Sequence, residues 1–484
     1  MNFLKNNSVS RKFQELYRRL GTKALVALFI LAAVDVFVIA APYYIKLIFP
    51  NVHTILHVTE SEFTRFISAI GYVTLITMLP GGWLADKISS KKLTALASFT
   101  TGLLTIWWAT LILTAPDPIQ QANGQLASST GVLTQYFLIY IGWGVSSTLI
   151  FWTPLWKLVS QQAKKEDQGL SYGIQGTFNG IVGVTIIFIA GIIFQTIAQN
   201  VGWTPSYAVY AYWVAAFLIL TTFAILKRVP EYSTKEKFAL DLKNLWEVLK
   251  SPRIWLDAFF VMGMYMFQSV FAYYLLQYIK NVIPSAVSVP AIVLTVVGGF
   301  RTYAFRFFIA TPTGRLADKA KSYIKTLTIT LGLGFIVAIA FLAFPGTGRF
   351  ENLSTTYQYV VMYVLIFLYL LAGALSWVMV TLRFATIGEL PVPKKSYAST
   401  TALISFVAFS PDAWFYSMSA EVGQYYTPSG SSNTSQQGYN VIILIAISIA
   451  IVGWFCGLAL YFWNKWELKK LGKTDFRWRQ LENV

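Results

Sequence analysis

The chain has one cysteine, Cys456, so no disulfide framework is possible, and its only histidines are His53 and His57. Charge is scarce too: 12% of the 484 residues are charged, where ordinary soluble domains carry about 25%. With 56% hydrophobic residues, a soluble globular protein is excluded. No Gly-rich loop ending in lysine is available to cradle a nucleotide, and no nucleophile sits beside a base, which argues against an ATP-driven machine and against an enzyme. His53, His57 and Glu60 have the spacing of metal ligands on a helix, but no further ligand is near, and a polar loop is the plainer reading. Neither a metal nor a cofactor is expected.

What the sequence does have is apolar runs. A bilayer span takes roughly 20 mainly apolar residues, and twelve such runs occur, at 24–47, 64–82, 93–114, 133–158, 171–197, 207–226, 255–279, 290–312, 324–345, 358–386, 398–419 and 440–463. They fall into two six-helix bundles, 24–226 and 255–463, with a tail at 1–23, a linker at 227–254 and a second tail at 464–484. The linker from Arg228 to Pro252 is charged and amphipathic, which suits a helix lying on the membrane surface.

A net charge of +17 could suggest nucleic acid, but the basic residues alternate between loops. They cluster before Ala24, after Asp86, at Lys164 and Lys165, from Lys227 to Arg253, after Gly314, at Lys394 and Lys395, and beyond Lys465, while the opposite loops hold little more than Arg65, Lys280 and Arg349. The positive-inside rule then places both termini and the linker in the cytoplasm. A multi-pass protein of the cell (inner) membrane is expected, with no nucleic-acid partner. No small-residue cleavage site follows the first run, so the first helix is expected to stay in the mature protein.

Two internal matches show duplication. Gly82-Trp83-Leu84-Ala85-Asp86-Lys87 returns as Gly314-Arg315-Leu316-Ala317-Asp318-Lys319, 232 residues later, and Pro42-Tyr43-Tyr44 corresponds to Ala272-Tyr273-Tyr274 at an offset of 230. Agreement within two residues implies two equivalent six-helix halves. Each Gly-x-Leu-Ala-Asp-Lys copy, followed by basic residues, reads as a short polar hinge between spans. This motif resembles the signature loop between the second and third helices of each half in the major facilitator superfamily. The resemblance implies an all-α integral membrane fold of twelve helices and secondary transport by alternating access, with a site near the membrane midplane. In the hinges Gly82, Asp86, Lys87, Gly314, Asp318 and Lys319 are gating candidates, the acids pairing with helix ends or basic side chains in one state and releasing them in the other. Solvated loop charges are the blander alternative.

Charged residues within a span are costly and mark function by default. Asp35 lies mid-span, and Lys46, eleven residues on, falls within about 20° of it on an ideal helix, so the two are expected to share a cavity-facing side. Lys46 is also near enough to the outer surface to snorkel. Arg301 is too deep for that, leaving either an anionic substrate or a structural ion pair with Asp35 or Asp412. Asp412 follows Ser410-Pro411, where proline can kink the eleventh helix. Tyr43, Gln175, Asn179 and Gln268 complete the substrate-binding candidates, the amides sharing one interior. Trp152, Lys157 and Arg383 suit either interface anchoring or an inner gate.

Thr148 to Trp152 with Lys157, Asp167-Gln168-Gly169 with Tyr172-Gly173, and Ser410-Pro411-Asp412 resemble bacterial permeases grouped with sugar-phosphate and glycerol-phosphate antiporters. Those antiporters hold phosphate between basic residues on the first and seventh helices; Lys46 matches one, but the seventh helix has no mid-membrane arginine. The expectation is a transporter for a small polar, anionic or zwitterionic metabolite, coupled to protons, acting as a monomer in the lipid bilayer. The alternatives are a phosphate-type antiporter and a transporter-like sensor, for which the tails are too short to form an output domain.

Overall fold

The computed structural model describes residues 8–49, 52–162, 168–232, 242–284, 287, 289–306, 308–309, 313, 322–344, 349–392 and 397–472. Nine helices among them are long and apolar enough to cross a membrane. They are α1 (Leu20–Leu47), α3 (Ser90–Thr114), α4 (Thr130–Ser160), α5 (Ile174–Val201), α6 (Trp203–Arg228), α7 (Pro252–Val282), α9 (Tyr323–Ala343), α10 (Thr355–Leu382) and α12 (Gln436–Lys470). Three more complete an all-α, twelve-helix membrane fold. α2 (Glu60–Lys87) carries Glu60, Glu62 and Arg65 in its first turns; α8 (Ala291–Ala304) is short among the described residues; α11 is two helices, Tyr397–Phe409 and Pro411–Tyr425, broken at Ser410 where proline cannot donate to the preceding turn. A small hairpin pairs Ile119–Gln120 with Leu126–Ala127.

α2 runs to Lys87, so Gly82 to Lys87 is the last part of a helix and not a hinge. The turn proper is Ile88 and Ser89. The side chain of Asp86, and all of Gly314, Asp318 and Lys319, lie outside the described residues. In the linker a helix at Leu242–Leu249 leaves Trp246 exposed.

The chain divides into two compact units, one drawn from Met1–Tyr43, Ile76–Leu113 and Ile141–Ala239, the other from Tyr44–Leu75, Thr114–Tyr140 and Leu240–Val484. In the first, Phe37 stacks on Phe217 and Trp108 meets Trp143. The Thr101 and Ser146 hydroxyls are 2.8 Å apart and Ser98 Oγ donates to the Leu218 carbonyl, the small-residue packing and interhelical hydrogen bonds typical of membrane bundles. Glu231 accepts from Ser90 N at the start of α3 (2.6 Å) and from the Ser89 hydroxyl, neutralising the positive helix end. Lys157 Nζ donates to the Ala85 carbonyl (2.8 Å) inside the repeated motif.

The second unit stitches α2 to the second half of the sequence. Ser61 Oγ donates to the Ala420 carbonyl (2.9 Å) and Ser68 Oγ to the Ala413 carbonyl (2.6 Å). Arg65 reaches both Glu421 and Gln424. Buried Glu60 accepts from Thr434 N (3.0 Å) and from the Tyr439 hydroxyl (2.6 Å). Ser61, Arg65 and Ser68 recur every three to four residues along one face of α2, with Glu60 beside them, so one stripe of side chains makes these contacts.

Candidate functional site

In the first unit the polar centre is Asp35. It is 3% exposed in α1, and its Oδ2 accepts from Gln175 Nε2 (3.0 Å) and Asn179 Nδ2 (2.7 Å), which stand one turn apart on one face of α5. Translocon scales put a charged residue at mid-helix at about 2.5–3.5 kcal/mol, and hydrogen bonds to a charged group return about 1.5–3 kcal/mol each. Two such bonds are of the size needed to offset the cost of keeping Asp35 in a span. Tyr43 Oη lies 2.8 Å from Ser147 Oγ in the same unit.

Asp35 belongs to the first unit and Lys46 to the second. Residues Ala40–Tyr44 form a π-helical turn, which does not keep the regular α-helical spacing on which a shared face was expected. Lys46 does not snorkel: it is 4% exposed, with Nζ 4.4 Å from the centroid of the Tyr416 ring. It interacts electrostatically with Asp412, yet no carboxylate comes within ion-pairing distance of it among the described residues. Asp412, at the first turn after the α11 break, accepts from Tyr265 Oη (2.5 Å) and Ser269 Oγ (2.8 Å), and Ser269 also meets Tyr416 Oη. α7 is itself interrupted at Ser269, which turns that hydroxyl toward α11. The result is an ammonium, a carboxylate, two phenols and a hydroxyl gathered from three helices.

Arg301 has a different environment from either expected one. It lies in a second π turn, Phe300–Ala304, donates to the Phe267 carbonyl (2.8 Å) beside the α7 break, and stacks 5.0 Å from the Tyr369 ring. Gly373 makes room for it, since a Cβ there would fall 2.5 Å from Arg301 Cγ. Among the described residues of its unit it has no carboxylate partner, so the pair with Asp412 is not formed. Its contacts brace α7, α8 and α10. Gln268, grouped from sequence with Gln175 and Asn179, is in the second unit and accepts from Arg383, whose guanidinium lies between the Phe384 and Phe409 rings. Arg383 is thus drawn inward to an amide and not to an interface.

Four groups escaped the sequence expectations: Tyr265 and Ser269, which bind Asp412, and Glu231 and Glu389, which hold helix N-termini. The first pair has a signal in retrospect, being polar positions one turn apart in an apolar run. His53 pairs with Asn433 and His57 with Asp117; among the described residues no group of three or more His, Cys, Asp or Glu could hold a metal.

Residues 23–415 match the family profile described as Major Facilitator Superfamily. A Mycoplasma pneumoniae protein described as "Uncharacterized protein MG294 homolog" is 45% identical over 483 residues, covering 96% of this chain and 98% of its own. "Inner membrane protein YihN" of Escherichia coli is 23% identical over 369 residues, 75% of this chain and 79% of its own. Among solved structures, a bacterial homologue of the human lysosomal transporter Spinster in an inward-facing, occupied conformation has a TM-score of 0.63 at 11% identity, covering 93% of this chain and 97% of its own. The nucleoside transporter NupG has a TM-score of 0.58 at 14% identity, over 91% of this chain and 98% of its own. At these identities the structural likeness shows the fold alone.

Proposed function

Since the chain belongs to the Major Facilitator Superfamily and is a multi-pass membrane transporter, we propose that it moves a small anionic or zwitterionic metabolite by alternating access, driven by protons. The observation that carries this is Lys46: an ammonium held away from water, over an aromatic face, with no ion pair among the described residues. A cation in that state leaves its attraction available to an incoming carboxylate or phosphate. Asp412, already hydrogen-bonded by Tyr265 and Ser269, supports a zwitterion by offering an acceptor for a substrate ammonium. Gln268 with Arg383 supplies further donors.

Arg301 is given a bracing role and not a substrate contact. Asp35 is the coupling candidate, because two of its partners, Gln175 and Asn179, are neutral amides that tolerate either protonation state: an amide can donate to the carboxylate or accept from the acid. The inner membrane as location is supported by the names of the Escherichia coli relatives and by the alternation of basic loops. Uptake of labelled metabolite pools into proteoliposomes, with and without a proton gradient, tests the whole assignment. Accumulation of a neutral solute that is indifferent to Lys46→Ala would overturn the substrate class.

A further inference from the structure

At the end of the second unit where Arg65 lies, opposite the basic loops, is a polar cavity that the transport assignment does not use. Its volume is about 270 Å³, and it is walled by the first turns of α2, by the small hairpin, and by the end of α11 with the segment after it. Ser128 N and Oγ donate to the two oxygens of buried Glu62 (3.0 and 2.8 Å), fastening the hairpin to α2. Gly430 N donates to the Gly124 carbonyl (3.0 Å), fastening the hairpin to the segment after α11. Gly124 sits at φ +79, a turn that a side chain would strain.

The two charges in the wall are engaged within it. Arg65 Nη2 donates to Glu421 (2.9 Å) and to Gln424 (2.7 Å), and Glu62 accepts from Thr59 N (2.8 Å) besides the Ser128 donors. A charged ligand would have to compete with these bonds, and a neutral one need not. The rest of the polar wall is neutral. Gln424 Nε2 spends one of its two hydrogens on Gln125 Oε1 (3.2 Å), and Gln121 and Asn123 add amides of their own. The Ser61 and Thr427 hydroxyls give their hydrogens to the Ala420 and Gly423 carbonyls (2.9 and 2.7 Å), so they present lone pairs. Leu126, Ala127 and Leu133 supply an apolar floor. Donors and acceptors interleaved around such a floor suit a ring that carries several hydroxyls, because each hydroxyl both gives and takes a hydrogen bond. At a volume just under the roughly 300–1,000 Å³ of ordinary ligand pockets, the cavity takes one ring and not a chain of them.

We propose that this cavity binds a neutral polyhydroxylated molecule of monosaccharide size, and that its occupancy holds α2 against α11 and the hairpin. A molecule that touches all three elements binds only while they are together, so its binding energy favours that arrangement. The site is separate from Lys46 and stands whatever is transported.

The test is saturation-transfer NMR on the full chain in lipid nanodiscs, with glucose, galactose, mannose and myo-inositol as probes. At least one should bind saturably at millimolar concentration. Ala127→Phe, which fills the floor without altering a charge, should weaken that binding at least ~10-fold, while Lys46→Ala should leave it unchanged. Should Ala127→Phe not fold, Gln424→Leu takes its place with the same expected loss. The bound probe should also slow hydrogen exchange of backbone amides in 121–128 and 421–427. Saturable binding of none of the four probes overturns the proposal, and so does binding indifferent to the cavity variants. Binding lost in Lys46→Ala but kept in Ala127→Phe would place the probe at the transport site, sinking this site and the anionic substrate class together. In Lys46→Ala, tighter binding of glucose 6-phosphate than of glucose would refute the neutral class, and binding with unaltered exchange would refute the bracing role.

Discussion

Gly71 of α2 lies so close to Asp412 of α11 that a Cβ at position 71 would fall 2.1 Å from the Asp412 carbonyl carbon. No side-chain adjustment relieves a clash with backbone. Gly71→Ala should therefore push α2 from α11 at a cost of about 1–3 kcal/mol, and the Ser68 hydroxyl should lose the Ala413 carbonyl. Spin-label distances between Arg65 and Glu421 positions should lengthen or broaden. Unchanged distances would mean that the seam rearranges without opening.

Lys46→Ala should weaken binding of an anionic substrate roughly 10- to 150-fold, the value of a charged hydrogen bond of about 1.5–3 kcal/mol. Arg301→Lys should instead leave affinity close to wild type and lower thermal stability, because lysine cannot both stack on Tyr369 and donate in a fixed plane to the Phe267 carbonyl. Binding measured by calorimetry alongside thermal unfolding separates the two. A large affinity loss in Arg301→Lys with unchanged stability would return that arginine to the binding site.

Asp35→Asn should retain substrate exchange and lose accumulation driven by a proton gradient. The amide keeps the shape and can still meet Gln175 and Asn179, but it cannot cycle a proton. Proteoliposome counterflow and gradient-driven uptake, run on the same preparation, decide this. Continued accumulation with only a proton gradient supplied removes Asp35 from the coupling path.

His53 predicts the direction of a pH effect. Burial first, and Lys280 second, push its imidazole down to about 4 from an ordinary value of 6.5, against an opposing hydrogen bond to Asn433. The unfolded chain therefore binds a proton below about pH 6.5 while the folded one does not until about pH 4. Stability from this group is intact above pH 6.5 and is lost as pH falls through that window, by a total on the order of 3 kcal/mol. His53→Gln should flatten the acid limb of a melting-temperature profile between those values. An equally steep limb in the variant would assign the acid sensitivity to other groups.

The twelve spans were legible in the sequence because a span must be apolar over most of its length, and Asp35, Gln175 and Asn179 stood out as polar positions in otherwise apolar runs. The geometry around them was less so. A π turn adds one residue without changing hydrophobicity, so nothing in Ala40-Ala41-Pro42-Tyr43-Tyr44 announces that the regular spacing from Asp35 to Lys46 is interrupted. Asp257 sits five residues into its span, where an acid reads as interfacial, and its partner Thr386 is far along the chain. Glu60 likewise looks like a loop acid, and only the folded chain brings Tyr439 and Thr434 to it.

Among the described residues four spans contain such a π turn, at Ala40–Tyr44, Val145–Leu149, Gly183–Phe188 and Phe300–Ala304. Each is a place where the chain holds one residue more than a regular helix needs, and there a single-codon deletion would repair the hydrogen-bond ladder and not break it. Such a deletion within 40–44 should give a protein that inserts and folds. It would nonetheless swing Lys46 off the Tyr416 ring, so that chain length, with no change of residue type, switches the cation out of place.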